Sequence, residues 1–199
     1  MAYMIKDEKQ IEKMLGISTI DPEESYEDYL HSRYEPTPYV VLQRLKESGY
    51  LDGVKHLADY GCGKGRVAFW LSHEMGMKVT GIDHVPEYIE MALMNKGNRY
   101  PGVEFVCGDA EKWILPEDVD ACYFFNPFEL KLFRKVLHNI ISSSYEHQKE
   151  ITLILYYPDE AVLGYLMGVD ETEFADEIRC DDLFEEKSQR ECLMIFRIQ

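Results

Sequence analysis

Three glycines at alternate positions are the residues of this 199-residue sequence whose spacing most directly indicates chemistry. Gly61, Gly63 and Gly65 lie within the stretch ADYGCGKGRVAFW, and apolar residues resume at helical spacing after them. Glycine at every second position lets the backbone adopt positive φ and approach a ligand closely. The pattern therefore predicts a strand, a tight ligand-binding turn and the start of a helix.

Acidic residues accompany this turn on both sides. Asp59 lies just before the first glycine, and Asp83 ends a second predicted strand, at the spacing of about 20 residues typical of a ribose-binding acid. An ionised carboxylate only accepts hydrogen bonds, so Asp83 could take both hydroxyl protons of a ribose. The alternative is a surface acid at a strand end.

Two further polar groups follow predicted strands. Asp109, in GDA, comes after a strand predicted at residues 103–107, and Asn126, in NPFE, comes after one predicted at residues 119–125. Each has a plain alternative as a turn, since Asn-Pro in particular favours turns. Trp113 either covers a bound base or packs, and Lys112 and Pro116 beside it indicate partial exposure.

The glycine turn and the acid before it carry a resemblance to a known family. The order Asp59, Gly61, Gly63, Gly65 resembles motif I of the class I S-adenosylmethionine-dependent methyltransferases. The corresponding turn of dinucleotide-binding enzymes has the sequence G-x-G-x-x-G, and here the third glycine comes one residue earlier. The resemblance covers residues 55–199.

The groups after the third and fourth strands extend this resemblance. Asp109 is similar to the acid of the third methyltransferase motif, which meets the adenine amino group. Asn126-Pro127-Phe128 resembles motif IV of amino-methylating enzymes, Asn-Pro-Pro-Tyr or Asn-Pro-Pro-Phe, but lacks its second proline.

The resemblance implies S-adenosyl-L-methionine as the cofactor and two sets of site residues. Asn126, Pro127 and Phe128 are expected beside the transferred methyl group. On a nitrogen acceptor, the Asn126 side-chain oxygen and the Pro127 carbonyl could accept hydrogens and stabilise the developing positive charge. The residues expected to bind the cofactor are Asp59, Gly61, Cys62, Gly63, Gly65, Asp83, His84, Asp109, Ala110 and Asn126.

No residue of the sequence is an obvious general base. His84, Glu129 and Tyr156 are the candidates near the expected site, and each is more easily interpreted as structural. The five cysteines match no zinc spacing, so no metal site is predicted. Cys62 lies within the glycine turn, and nothing in the sequence makes it a nucleophile.

Alternating strand and helix patterns predict a doubly wound α/β fold. Helices are expected at residues 39–46, from the glycines to 75, and at 86–95, 130–141 and 158–168. A fifth strand is expected at residues 151–157, and the last two, at 173–180 and 192–198, are too close for a crossover helix and should pair antiparallel. The resemblance implies a seven-stranded, mostly parallel sheet in the order 3-2-1-4-5-7-6.

Residues 1–54 precede the expected methyltransferase domain at residues 55–199. They are predicted to form two short helices, the second starting at Asp21, followed by a proline-punctuated segment at residues 34–39. Because this segment directly precedes the glycine-rich strand, it is either a packed connector or a lid that orders on ligand binding. The extension is expected to help close the site or bind the acceptor.

Composition limits the partners. The net charge of -16 repels phosphate backbones, which makes nucleic acid an improbable acceptor and favours a small molecule or a protein. No apolar run reaches the length of about 18 residues that a membrane span needs, and the N-terminus lacks a signal-peptide core, so a cytoplasmic location is expected. The sequence does not indicate an oligomeric state.

Two other function classes share some of these residues. A nicotinamide-dependent oxidoreductase would also use the three glycines and Asp83, but it would not predict Asp59, Asp109 or Asn126. A non-catalytic module that retains S-adenosylmethionine as a structural ligand would use all of them without turnover. The acceptor itself is not identified by the sequence.

Overall fold

Seven strands form a single sheet whose order places the glycine-bearing strand at its centre. The computed structural model describes residues 2–20, 35–126 and 128–199. The sheet order is β3-β2-β1-β4-β5-β7-β6, which confirms the order that the resemblance implies. The strands are β1 (His56–Tyr60), β2 (Lys78–Asp83), β3 (Val103–Cys107), β4 (Ala121–Phe125), β5 (Ile151–Tyr156), β6 (Thr172–Arg179) and β7 (Cys192–Ile198).

Parallel pairing brings the ends of the strands together. β1 pairs in parallel with β2 on one side and β4 on the other, while β7 pairs antiparallel with both β5 and β6. The carboxyl ends of β1 to β5 therefore meet at one edge of the sheet. In open α/β sheets ligands bind at this edge, where the strand order reverses direction.

Six α-helices are present in the described ranges, and their bounds largely follow the predicted ones. They are α1 (Ala2–Leu15), α2 (Tyr39–Glu47), α3 (Arg66–Met75), α4 (Pro86–Lys96), α5 (Leu130–His147) and α6 (Glu160–Leu166). None of them is both long and apolar enough to cross a membrane. The helix predicted to start at Asp21 lies outside the described residues.

Three bounds differ from the prediction for local reasons. β4 starts at Ala121 rather than at residue 119, because the Val119 amide donates to the Pro116 carbonyl in a turn (3.1 Å). α5 continues past residue 141, since Ser143 and Ser144 are buried in it. α6 is shorter than predicted because Asp159 caps it, its carboxylate accepting from the Ala161 amide (2.7 Å).

The described part of the N-terminal extension packs on the same apolar core as the central strand. Leu15, Leu42 and Leu45 are fully buried in one cluster with Leu57 of β1. Burying a leucine side chain contributes about 1.5–3 kcal/mol. The extension is therefore part of the folded core.

One buried arginine connects this extension to the helix that follows the glycines. Arg66, 1% exposed, donates from Nη1 to the Glu8 carboxylate and from Nη2 to that of Glu12 (3.3 Å), and from Nε to Thr19 Oγ1 (2.8 Å). Its guanidinium also lies over the ring of Tyr39, 4.6 Å from the centroid. A buried guanidinium needs such partners, because an unpaired buried charge is costly.

Candidate functional site

The glycine turn has the backbone that its spacing predicts. Gly61, Gly63 and Gly65 have φ of 78°, 52° and 88°, values that favour glycine. A Cβ at Gly65 would lie 2.5 Å from Phe105, so packing requires glycine there. A Cβ at Gly61 would meet nothing within 4 Å, so the space beside that residue is open to a ligand.

Asp83, at the end of β2, holds the turn in place. Its Oδ2 accepts from the Gly63 amide and its Oδ1 from the Val85 amide, both at 2.9 Å. Each carboxylate oxygen keeps a further lone pair, and the side chain is 9% exposed at the sheet edge. Two hydroxyl donors on adjacent atoms, as in a ribose, suit this arrangement.

Asp59, at the end of β1, is a buried carboxyl group with an orphaned oxygen. The residue is 3% exposed, and Oδ2 has no hydrogen-bond partner within the described part of the chain. Burial, with a smaller contribution from the Asp83 charge, raises the pKa of Asp59 to about 8. An unpaired buried carboxyl is costly unless a donor or a cation meets it, so this position suits a hydrogen-bond donor or a cationic group of a ligand.

The groups after β3 are more exposed. Asp109 Oδ2 lies 2.9 Å from Lys112 Nζ, and this hydrogen bond lowers the pKa of the Asp109 carboxyl. Ala110 and Trp113 pack against the core, and the Trp113 ring meets the Tyr60 ring edge-on at 5.4 Å between centroids. This end of the sheet therefore offers a carboxylate next to an indole.

Two other expected cofactor residues differ in exposure. Cys62 is buried, and burial raises the pKa of its thiol well above the usual range, so it serves as a small packed group. It packs against Gly81 of β2, where a Cβ would lie 2.8 Å from the Cys62 sulfur. The side chain of His84 is 84% exposed, with Nδ1 3.6 Å from Asp83 Oδ1.

The expected acceptor side of the site lies at the ends of β4 and β5. Asn126 is exposed there with φ of 41°, and its Oδ1 accepts from Arg190 Nη2 (3.0 Å). Pro127 lies outside the described residues. Phe128 packs edge-on against Phe124 with 6.4 Å between centroids, so its ring is part of the core packing.

Sequence reasoning missed Arg190, which joins the two strand ends. Its Nη2 also donates to the Tyr157 carbonyl (3.1 Å), its Nε to the Pro158 carbonyl (3.2 Å), and its guanidinium lies 4.3 Å from the Tyr157 ring centroid. Arg190 follows Asn126 by 64 positions. No local pattern connects them, because only the insertion of β7 beside β5 brings them together.

The three general-base candidates occupy unlike positions. Tyr156 donates its hydroxyl to Glu191, and burial raises the pKa of both Tyr156 and Glu191. Glu129 is exposed at the N-terminus of α5, and His84 is exposed beside Asp83. No three His, Cys, Asp or Glu side chains within the described ranges are grouped as a metal site would need.

Comparison with known proteins finds a family model that matches part of this chain. Residues 57–150 match the model of a family described as a methyltransferase domain. That range contains the glycine turn, Asp59, Asp83, Asp109 and Asn126. No curated protein matches the chain significantly.

Several solved structures share the fold at low identity. The human methyltransferase 10 domain containing protein matches with a TM-score of 0.65 and 15% identity, covering 100% of this chain and 96% of its own. A TehB-like S-adenosylmethionine-dependent methyltransferase from Corynebacterium glutamicum matches with a TM-score of 0.53 and 22% identity, over 78% and 85% of the two chains.

A third structure contains the product of methyl transfer. It is an RNA methyltransferase from Salinibacter ruber in complex with S-adenosyl-L-homocysteine, with a TM-score of 0.55 and 18% identity over 82% of this chain and 92% of its own. Residues 57–150 are therefore similar to a methyltransferase domain, and the chain has the Rossmann-like fold that these solved structures share.

Proposed function

We propose that this chain transfers a methyl group from S-adenosylmethionine to an acceptor by in-line displacement. The observation that carries the proposal is the orphaned, buried carboxyl of Asp59 beside a glycine turn that Asp83 holds in place. Together they offer a cation-binding group, open space and an acceptor of ribose hydroxyls at one sheet edge. These are the chemical features that the cofactor presents.

The residues of the chain divide the work of binding. Asp83 would accept from the ribose hydroxyls, Asp59 would meet the ammonium group, and Asp109 with Trp113 would contact the adenine. Gly61, where a Cβ has open space, leaves room for the ligand. When bound, the cofactor supplies a sulfonium centre, which is already a strong leaving group.

The protein must therefore mainly align the acceptor with the methyl group. Positioning alone can supply about 7–11 kcal/mol of a barrier when the reacting atoms are held close to attack geometry. Asn126 and Phe128 lie at the end of β4, next to the strand that bears the glycine turn. We assign them, with Pro127, to the acceptor side. A nitrogen of a small molecule or protein is the acceptor that the Asn-Pro pair favours.

In our proposal the N-terminal extension, residues 1–54, closes the acceptor side of the site. Thr37 is 2% exposed and shares a hydrogen bond with the Tyr123 hydroxyl of β4 (2.9 Å). The extension thus reaches the strand that carries Asn126. This contact supports a role in shaping the acceptor side.

Titration calorimetry with S-adenosylhomocysteine tests the cofactor assignment. We expect binding at about 1 μM or tighter, which corresponds to about -8 kcal/mol. Asp83→Ala should weaken it by about 1.5–3 kcal/mol, because charge-assisted hydrogen bonds are lost. Asp170→Ala is the matched control, since Asp170 is exposed in the turn before β6, at the opposite edge of the sheet.

Two results would contradict this assignment. Clear binding of NADH with no heat from either S-adenosyl compound would favour an oxidoreductase. Tight S-adenosylhomocysteine binding with no labelled methyl transfer to metabolite, protein or RNA pools would favour a non-catalytic module.

RNA is a second candidate acceptor, because one helix face opposes the overall negative charge. The exposed residues among the first nine of α5 are all basic: Lys131, Arg134, Lys135 and His138. Three of them, Arg134, Lys135 and His138, line a groove of about 410 Å³ together with Lys112, Glu111 and Asn139, next to Asp109. Among the structural neighbours are methyltransferases described as acting on RNA and tRNA.

Filter binding of labelled RNA at several salt concentrations tests this candidate. Lys131→Gln with Lys135→Gln should weaken binding and reduce the salt slope by about 1–2, since two phosphate contacts are lost. Lys55→Gln with Arg197→Gln removes the same charge from exposed positions at the other edge. Equal effects of the two pairs, or no RNA binding, would leave the small molecule or protein acceptor.

A further inference from the structure

Arg190 is a half-buried cation whose hydrogen-bond partners among the described residues are all uncharged oxygens. These partners are the Asn126 side-chain oxygen and the carbonyls of Tyr157 and Pro158. Among the described residues no carboxylate forms an ion pair with it, although acids outnumber bases by 37 to 21 in this chain. The neighbouring Glu191 carboxylate accepts from the Tyr156 hydroxyl, and the Arg190 charge acts on it without a direct ion pair, opposing the rise that burial causes in the Glu191 pKa.

The contact with Arg190 determines which way the Asn126 amide faces. A guanidinium only donates, so the Asn126 atom that meets it must be the carbonyl oxygen. The Asn126 NH₂ group therefore lies on the other branch of the amide. No described residue accepts from that group or from Arg190 Nη1, which leaves both as hydrogen-bond donors at the sheet edge.

The backbone at this edge is held in an uncommon conformation. Asn126 and Tyr157 have φ of 41° and 52°, a backbone region that a bulky residue such as tyrosine rarely adopts. One guanidinium bonds to both residues and lies over the Tyr157 ring. Such backbone conformations cluster at functional sites, where they position side chains in advance.

We infer that Arg190 Nη1 and Asn126 Nδ2 bind an oxyanion, a carboxylate or a phosphate, carried by the methyl acceptor. Asn126 follows the carboxyl end of β4, which pairs with the glycine-bearing strand β1, and Arg190 precedes the start of β7, which pairs with β5. The planar guanidinium suits oxyanions, and charge-assisted bonds of this kind are about twice as strong as neutral ones. The inference rests on the proposed function for what the oxyanion belongs to, but the anion site itself does not.

Side-chain NMR of the full chain tests the site directly. Sodium acetate and sodium phosphate are titrated separately at constant ionic strength, with and without S-adenosylhomocysteine, while the Arg190 Nε–H and Asn126 NH₂ signals are followed. We expect saturable shifts of both signals with one shared Kd for at least one anion. The anion that binds more tightly distinguishes a carboxylate-bearing from a phosphate-bearing acceptor.

Three variants distinguish a loss of anion binding from a general effect on the folded structure. Arg190→Gln should raise the anion Kd at least tenfold, and Arg190→Lys, which keeps the charge without the fork, should raise it less. Asn126→Ala gives a second measure that does not depend on Arg190→Gln folding. Arg197→Gln is the control, because Arg197 is exposed near the other end of β7.

Either of two results overturns the inference: no saturable shift of either signal, or an Arg197→Gln effect equal to that of Arg190→Gln. Calorimetry with S-adenosylhomocysteine is read separately. Anion binding without S-adenosylhomocysteine binding would contradict the proposed function and leave the anion site standing.

Discussion

The two halves of one sheet edge are built in different ways. At the ends of β1 and β2 the site consists of backbone turns and carboxylates from neighbouring motifs, and Asp83 holds the Gly63 amide 20 positions away. At the ends of β4 and β5 it depends on a single arginine from a strand inserted later in the chain. The first half uses local backbone geometry, and the second uses a tertiary contact.

The difference teaches how the two halves can vary. Enzymes with different acceptors can share one cofactor, so the residues proposed to bind it can form a compact sequence motif of glycines and acids. An acceptor half that depends on Arg190 can change its preference by one substitution without disturbing the glycine turn. The comparison predicts that variants in one half will leave the function of the other nearly unchanged.

The largest effect is expected from Gly63→Val. A β-branched residue disfavours the φ of 52° and fills space near the ligand, so S-adenosylhomocysteine affinity should fall more than 100-fold by calorimetry. Gly53→Val is the matched control, since Gly53 also has positive φ and open space around its Cβ. Equal affinity losses for the two would mean that general destabilisation, and not the site, is responsible.

Asn126→Ala should have the opposite effect: it should lower methyl transfer and leave cofactor affinity nearly unchanged. Cofactor affinity is expected to stay within about threefold while methyl transfer falls by about 10²-fold, the scale for losing one preorganised polar group. Asn98→Ala, in an exposed turn after α4, is the control for both measurements. A loss of affinity with unchanged turnover at saturation would move Asn126 to the cofactor half.

Asn126→Asp then distinguishes the role of each atom of the amide. Partial survival of transfer means that an oxygen accepting hydrogens from a nitrogen acceptor is what matters. A loss as large as that of Asn126→Ala means that the donating NH₂ group matters, as an oxyanion requires.

A smaller effect concerns the pH dependence of cofactor binding through Asp59. With a folded pKa of about 8, the carboxyl is protonated in the free protein at pH 6–7, and a bound ammonium favours its ionised form. Affinity for S-adenosylhomocysteine should therefore rise by up to about tenfold per pH unit toward pH 8 and then level off. Calorimetry in buffers of different ionisation enthalpy should detect up to one proton released.

Asp59→Asn provides the control for that titration. It should bind more weakly at pH 8 and release no proton. The variant should also remove a pH dependence of stability: the unfolded carboxyl ionises near pH 4 and the folded one near 8, so rising pH lowers the free energy of unfolding between them. A pH-dependent affinity retained in Asp59→Asn would contradict the assignment.

The smallest effect is expected in the extension. Tyr39 is buried and its amide donates to Glu8 Oε1 (2.8 Å), so this amide should be protected from hydrogen exchange without ligand and change less than about threefold with S-adenosylhomocysteine. That packing favours the connector over the lid for residues 35–39, while Tyr34 lies outside the described residues. A large gain in the exchange protection of this amide on ligand binding would instead support the lid hypothesis.

Much of the architecture could be predicted because it depends on local patterns. Strand and helix periodicity, the glycine spacing and the Asp83 position each act over short stretches of chain, and the sheet order followed from the resemblance that they carry. The bounds of β4, α5 and α6 could not be predicted as well, since a turn bond at Val119, the burial of Ser143 and Ser144, and the Asp159 cap decided them.

The sequence by itself determined the glycine turn and the carboxylates at the ends of β1 and β2, because positive φ at glycines and carboxylates at strand ends are properties of residue type and spacing. Only the tertiary structure decided three other features: the burial that raises the pKa of Asp59, the close approach of Gly81 to Cys62, and the Arg190 contact with Asn126. Each depends on which distant segments become neighbours in the sheet. That proximity is set by long-range packing, which no short stretch of chain encodes.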